Sequence, residues 1–152
     1  LNPPNLNQIR NYYRVSDRLS CSGQPTREQF AEIARAGYEV VINLALPTSD
    51  SALADEGAIV TGLGMSYFHL PVLWESPTLE DLELFFGVTK ATGDRPVWIH
   101  CALNMRASCF LYLYRKHIVG LPEEEARYPM DALWRPEGVW ADLIEIAGNR
   151  WS

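Results

Sequence analysis

The sequence predicts one α/β domain with a central, mainly parallel sheet of four or five strands and helices on both faces. Three observations support this. Two short, nearly uninterrupted apolar runs, at 38–44 and 96–99, have the composition of strands buried on both faces. Stretches with helical spacing and clear start signals alternate with them, the order that produces parallel crossovers. With 152 residues, 47% of them hydrophobic, the chain suffices for one core that buries roughly 70% of its unfolded surface.

Residues 1–11 carry four Asn and two Pro with little periodicity and are expected to dock loosely as an arm ahead of a domain over 12–152. Tyr12, Tyr13 and Val15 flank a polar turn at Ser16-Asp17, which predicts an edge hairpin closed by Gly23 and Pro25. Thr26 and Gln29 form a capping-box pattern, and Phe30, Ile33, Ala34 and Gly37 share a face of the first helix. Tyr38 to Leu44 is the first buried strand. Between Pro47 and Gly64 a short Ala-rich pattern predicts one weak helix, with Asp50, Asp55 and Glu56 expected on its solvated surface. Met65 to Val72 returns to strand character until Pro71 stops the ladder. The loop Leu73-Trp74-Glu75-Ser76-Pro77 then falls at the same sheet end as residue 101 if both strands run parallel.

Thr78 opens a helix to Lys90 with Asp81 as its capping partner and Leu79, Leu82, Phe85 and Phe86 inward. After the strand at 96–100 comes a loop, then a helix with Phe110, Leu113, Tyr114 and Ile118 along one stripe and Arg115 and Lys116 as end-of-helix charges. Gly120 ends it, and Pro122 starts another whose first turn holds Glu123, Glu124 and Glu125. A final helix places Val139, Leu143, Ile146 and Ala147 inward, with Trp134, Trp140 and Trp151 as packing residues.

A net charge of −6 and a pI near 5.0 argue against a nucleic-acid-binding surface, so positive potential must be local. The three cysteines match neither a disulfide framework nor a zinc spacing, and Cys21 and Cys109 read as packed thiols. His69 and His117 lack a metal-ligand partner at a credible spacing and read as structural, so no metal or cofactor is expected. No apolar run reaches the length of a membrane span. Because the chain begins at Leu1, cytoplasmic, periplasmic and secreted placement all stay open.

The chemistry concentrates in His100-Cys101-Ala102-Leu103-Asn104-Met105-Arg106-Ala107-Ser108. A tight loop entering a helix leaves its amides unpaired, so the backbone of Ala102, Leu103, Asn104 and Met105 is expected to ring the Cys101 sulfur. Such a pocket favours an anion. Arg106 adds a planar fork able to grip two oxygens of a tetrahedral oxyanion and to stabilise a thiolate, which makes Cys101 the candidate nucleophile.

This loop resembles the signature loop of the cysteine-dependent protein tyrosine and dual-specificity phosphatases, in particular a small bacterial branch with a shortened loop. The likeness extends to Leu19-Ser20-Cys21-Ser22-Gly23-Gln24-Pro25, to Gly37 through Leu44, and to Tyr67-Phe68-His69-Leu70-Pro71-Val72. It implies hydrolysis of a phosphorylated substrate through a phosphocysteine. In that scheme Ser108 eases thiolate departure, and His100 bonds backbone behind the loop to orient Cys101. The common loop has five residues between cysteine and arginine, whereas this one has four and lacks the usual glycine. Two registers are open: a loop one residue short, or a full-length loop with Arg106 displaced by about 100° around the helix start. The resemblance hands over no general acid at Leu73. Glu75 is the nearest candidate and Asp81 the next. A four-residue loop also resembles that of rhodanese-like sulfurtransferases, and an oxyanion-binding module without turnover is the third alternative.

Overall fold

In a computed structural model, which describes residues 2–152, five strands form one sheet in the order β1-β2-β5-β3-β4. The hairpin strands β1 (Tyr13–Arg14) and β2 (Leu19–Ser22) are antiparallel, while β3 (Val40–Asn43), β4 (Ser66–His69) and β5 (Val97–His100) run parallel to one another, with β5 parallel to β2. Three helices, α1 (Arg27–Arg35), α2 (Glu56–Gly62) and α3 (Leu79–Ala91), make the crossovers. Beyond β5 lies α4 (Met105–Tyr114), which continues through a π turn at Arg115–Val119, and then α5 (Glu123–Ala126), α6 (Met130–Leu133) and α7 (Val139–Arg150).

Register decides where the site can be. Ser22 pairs with His100, His100 with Asn43, and Asn43 with His69, so the four parallel strands end level and release their loops at one edge. Open α/β sheets bind ligands outside that edge.

Alternation along the strands builds two cores. Val41 and Trp98 face a layer of Phe30, Ile33, Val60 and Met65 from α1, α2 and the turn before β4. Val40, Ile42, Val97 and Ile99 face the larger layer under α3, α4 and α7. Helix starts follow the local signals: both capping boxes form, Thr26 with Gln29 and Thr78 with Asp81.

Several expectations are corrected. Within residues 2–11 Ile9 is buried in the smaller core rather than loosely docked, and just after them Tyr12 stacks on Trp98 at 5.1 Å. Every residue of α4 from Arg106 to Tyr114 is buried, since α5 and α6 cover the side that a lone amphipathic stripe would leave wet. Arg115 is not an end-of-helix charge; it is buried and donates to the carbonyls of Glu125 and Tyr128, securing the segment after α5. On α7, Val139 and Ile146 are 45% and 47% exposed, and the inward face is Trp140, Leu143 and Ala147, one position round from Val139. His117 Nε2 is buried without a partner among the described residues, and the short helix α6 was not expected.

Candidate active site

Cys101 directly follows β5, at the middle of the level strand ends, and is 1% exposed at the base of a cleft of about 200 Å³. Trp74, Ala102, Leu103, Met105 and Arg106 form the rest of its lining. Arg106 lines this cleft, the placement that the short-loop register asks for. Asn104 is the residue before α4 and adopts φ 71°, the left-handed conformation that glycine or asparagine takes most readily, so asparagine stands in for the usual glycine. Arg106 is then the second residue of α4, and one guanidinium nitrogen donates to the Val72 carbonyl at 2.8 Å, fixing the fork against the same cleft as the sulfur.

Three successive carbonyls of the loop are tied away from the cleft. The Cys101 carbonyl meets His100 Nδ1 at 3.2 Å, that of Ala102 accepts from the Gln24 amide at 3.0 Å, and that of Leu103 accepts from Asn11 Nδ2 at 3.0 Å. In a planar trans peptide the next residue's N–H points opposite to the carbonyl. The amides of Ala102, Leu103 and Asn104 are therefore turned the other way, and none donates to a protein acceptor among the described residues. Asn104 returns the favour, its side-chain amide donating to the Asn11 carbonyl at 2.8 Å and to Cys21 Sγ at 3.3 Å. The result is a cup of backbone amides buttressed by residues from the arm and from the segment after β2.

Behind the cup is a group that the sequence reading placed in solvent. Glu56 is 3% exposed, with Oε2 2.6 Å from His100 Nε2 and Oε1 accepting from Gln24 Nε2 at 2.7 Å. Burial opposes its charge, but His100, Gln24 and Tyr67 outweigh that and hold the carboxyl below its ordinary value. A faint sequence signal was available: Glu56 shares a helical face with Ile59 and Val60, which points it inward.

The other candidates are placed less favourably. Ser108 is buried, its hydroxyl donating to the Met105 carbonyl and accepting from Trp134 Nε1 at 3.2 Å. Glu75 lines a separate cleft with Pro77, Thr78 and Asp142, and Asp81 is engaged in the Thr78 cap. Among the described residues no carboxylate lines the Cys101 cleft. Its outer wall is Trp74, 41% exposed, whose carbonyl accepts from Trp140 Nε1 at 2.9 Å and whose ring packs against Trp134 and Trp140. No group of acidic, histidine or cysteine side chains suited to a metal occurs among the described residues.

A cysteine in a cup of amides, closed by an arginine from the following helix at the carboxyl edge of a parallel sheet, defines a phosphatase-like protein of the cysteine-dependent tyrosine and dual-specificity class. The chain belongs to the family described as DSP-PTPase phosphatase fused to NAD+ kinase, whose model matches residues 5–133. A DUF442 protein of Shewanella putrefaciens CN-32, crystallised as a phosphatase candidate, is 34% identical with a TM-score of 0.87, covering 97% of each chain. Tk-PTP in its active form superposes with a TM-score of 0.75 at 18% identity, over 92% of this chain and 97% of its own, a likeness of fold. A beta-lactamase hydrolase-like protein of Xylella fastidiosa is 33% identical over 100 residues, 61% of this chain, and the match spans only 22% of that relative's length.

Proposed function

We propose that the chain hydrolyses a phosphomonoester through a phosphocysteine. Convergence of the Cys101 sulfur, the untied amides of Ala102 and Leu103 and the Arg106 fork on one cleft carries this reading. The sulfur attacks phosphorus as the ester oxygen departs, with the amides and Arg106 holding the equatorial oxygens. Water then attacks the phosphorus, the S–P bond breaks and the thiolate is restored, the water's proton passing to solvent. Ser108 is close enough in sequence to assist that departure only if its hydroxyl leaves Met105. With no carboxylate on the cleft, the leaving group receives no proton from the described lining, so turnover favours groups that depart as stable anions.

The test is a series of aryl phosphates of rising phenol pKa. The rate is expected to fall steeply along the series, to vanish in Cys101→Ser and to be unchanged in Glu75→Gln. A flat series, or a loss in Glu75→Gln comparable with that of Cys101→Ser, overturns this account.

The same feature favours a second reading, sulfur transfer. In attack on thiosulfate by the Cys101 thiolate, an S–S bond forms, the original S–S bond breaks and sulfite leaves with the electron pair, so no proton donor is needed. Thiocyanate formed from thiosulfate and cyanide, without phosphate release from any aryl ester, would select this reading over the first.

A further inference from the structure

We propose that Glu56 is the positioning residue of the anion cup, acting through His100 and Gln24 on the first two peptide groups of the loop. One carboxylate reaches both. Its Oε2 is 2.6 Å from His100 Nε2, and the other nitrogen of that ring faces the Cys101 carbonyl at 3.2 Å. Its Oε1 accepts from the Gln24 side chain at 2.7 Å, while the backbone amide of Gln24 donates to the Ala102 carbonyl at 3.0 Å. The two arms thus end on adjacent carbonyls, and by peptide planarity they set the direction of the Ala102 and Leu103 amides.

The anchor is rigid for reasons visible around it. Glu56 opens α2, whose Val60 sits in the smaller core, and the His100 ring packs against Phe30 at 5.8 Å. An ionised carboxylate this deeply buried is costly unless fully bonded. Tyr67, itself accepting from Asn43 Nδ2, completes its surroundings. If Glu56 merely filled space, a neutral residue of the same shape would serve. The Cys101 carbonyl and an ionised Glu56 both accept, so the His100 ring joins them by donating from both nitrogens, and with Gln24 also donating the geometry asks for an acceptor at both oxygens of residue 56.

The test needs neither phosphatase nor sulfurtransferase activity, only the sulfur and the field around it. Alkylation of Cys101 is measured with iodoacetate and with iodoacetamide, because the ratio of the two rates reports how strongly the cup attracts an anion. The wild type is expected to favour iodoacetate. Glu56→Gln, which turns one acceptor oxygen into a donor, should lower the ratio on the order of tenfold, the usual scale for a small misplacement of a preorganised group. Glu56→Asp should recover part of it, and Gln24→Met, which cuts one arm at a half-buried side chain, should show a smaller drop whether or not Glu56→Gln folds. Adding Glu56→Gln to His100→Asn should lower the ratio less than it does in the wild type, since one arm is already gone. An unchanged ratio in Glu56→Gln or Gln24→Met, or full multiplication of the Glu56 and His100 effects, overturns the proposal. A wild type without preference for the anionic reagent overturns the cup itself.

Discussion

Gly23 lies where β2 passes closest to the reactive loop, and a Cβ built on it would come within 2.6 Å of the Ala102 carbonyl oxygen. That oxygen is a backbone atom held by the Gln24 amide, so it cannot swing aside as a side chain would. Gly23→Ala is therefore expected to keep the fold and to push the loop outward, weakening vanadate or phosphate binding by roughly 10- to 100-fold. Equilibrium dialysis beside a thermal melt checks this, and unchanged binding would mean the loop has slack. The contrast with Glu56 shows what a sequence discloses at this scale. Cys101, Arg106 and the amides between them are legible because their chemistry is contained in six consecutive residues. Glu56 is not, because its meaning depends on a histidine 44 residues away, brought alongside only by the register of the sheet.

The elements that start on local chemistry were legible for the same reason. Thr26 with Gln29 and Thr78 with Asp81 need nothing beyond their own turn, and both boxes form as the spacing predicts. Faces decided by neighbours were less so. The wetted side expected on α4 is covered by α5, which Pro122 announces, and by α6, which is too short to announce itself, and the inward face of α7 rests on Trp140 because Trp140 also holds the Trp74 carbonyl. The Thr78 cap matters beyond its own turn, since Phe85 of α3 packs edge-on against Phe110 of α4 at 5.5 Å and so supports the helix that carries Arg106. Thr78→Ala should cost about 1 kcal/mol in urea unfolding, while Thr78→Ser should retain most of the stability. A loss of stability in Thr78→Ala with the rate of Cys101 alkylation unchanged would place the effect in α3 alone, and no loss at all would show the cap to be redundant.

Over the whole molecule the ionisable groups whose pKa shifts on folding fix the pH range in which this architecture is stable. Glu56 is held below its ordinary value, and so is Glu123, raised by burial but pulled down to about 2 by Lys116, Arg127 and Tyr112. As pH falls below about 5 the unfolded chain binds protons at these carboxyls before the folded one does, so the stability they contribute is complete above that pH and is lost on acidification. The opposite limb comes from the core. Burial pushes the Cys21 thiol up to about 12 and raises Cys109 and Tyr67 as well, so above about pH 9 the unfolded chain releases protons that the folded chain keeps. Here the unfolded state binds fewer protons, and the sign reverses: stability falls as pH rises. Burial also holds the His117 imidazole below its ordinary value, so the unfolded chain takes up a proton there before the folded one, and urea midpoints should trace a plateau between about pH 7 and pH 9 with a decline on each side. Glu56→Gln should lower the plateau and flatten the acid limb without moving the alkaline one, because the buried carboxylate and the buried thiols act on different limbs. A midpoint still constant at about pH 11, well past the ordinary range of thiols and phenols, would show that the Cys21 and Cys109 thiols of β2 and α4 are not sealed from solvent, and the close packing behind the cup would have to be given up with them.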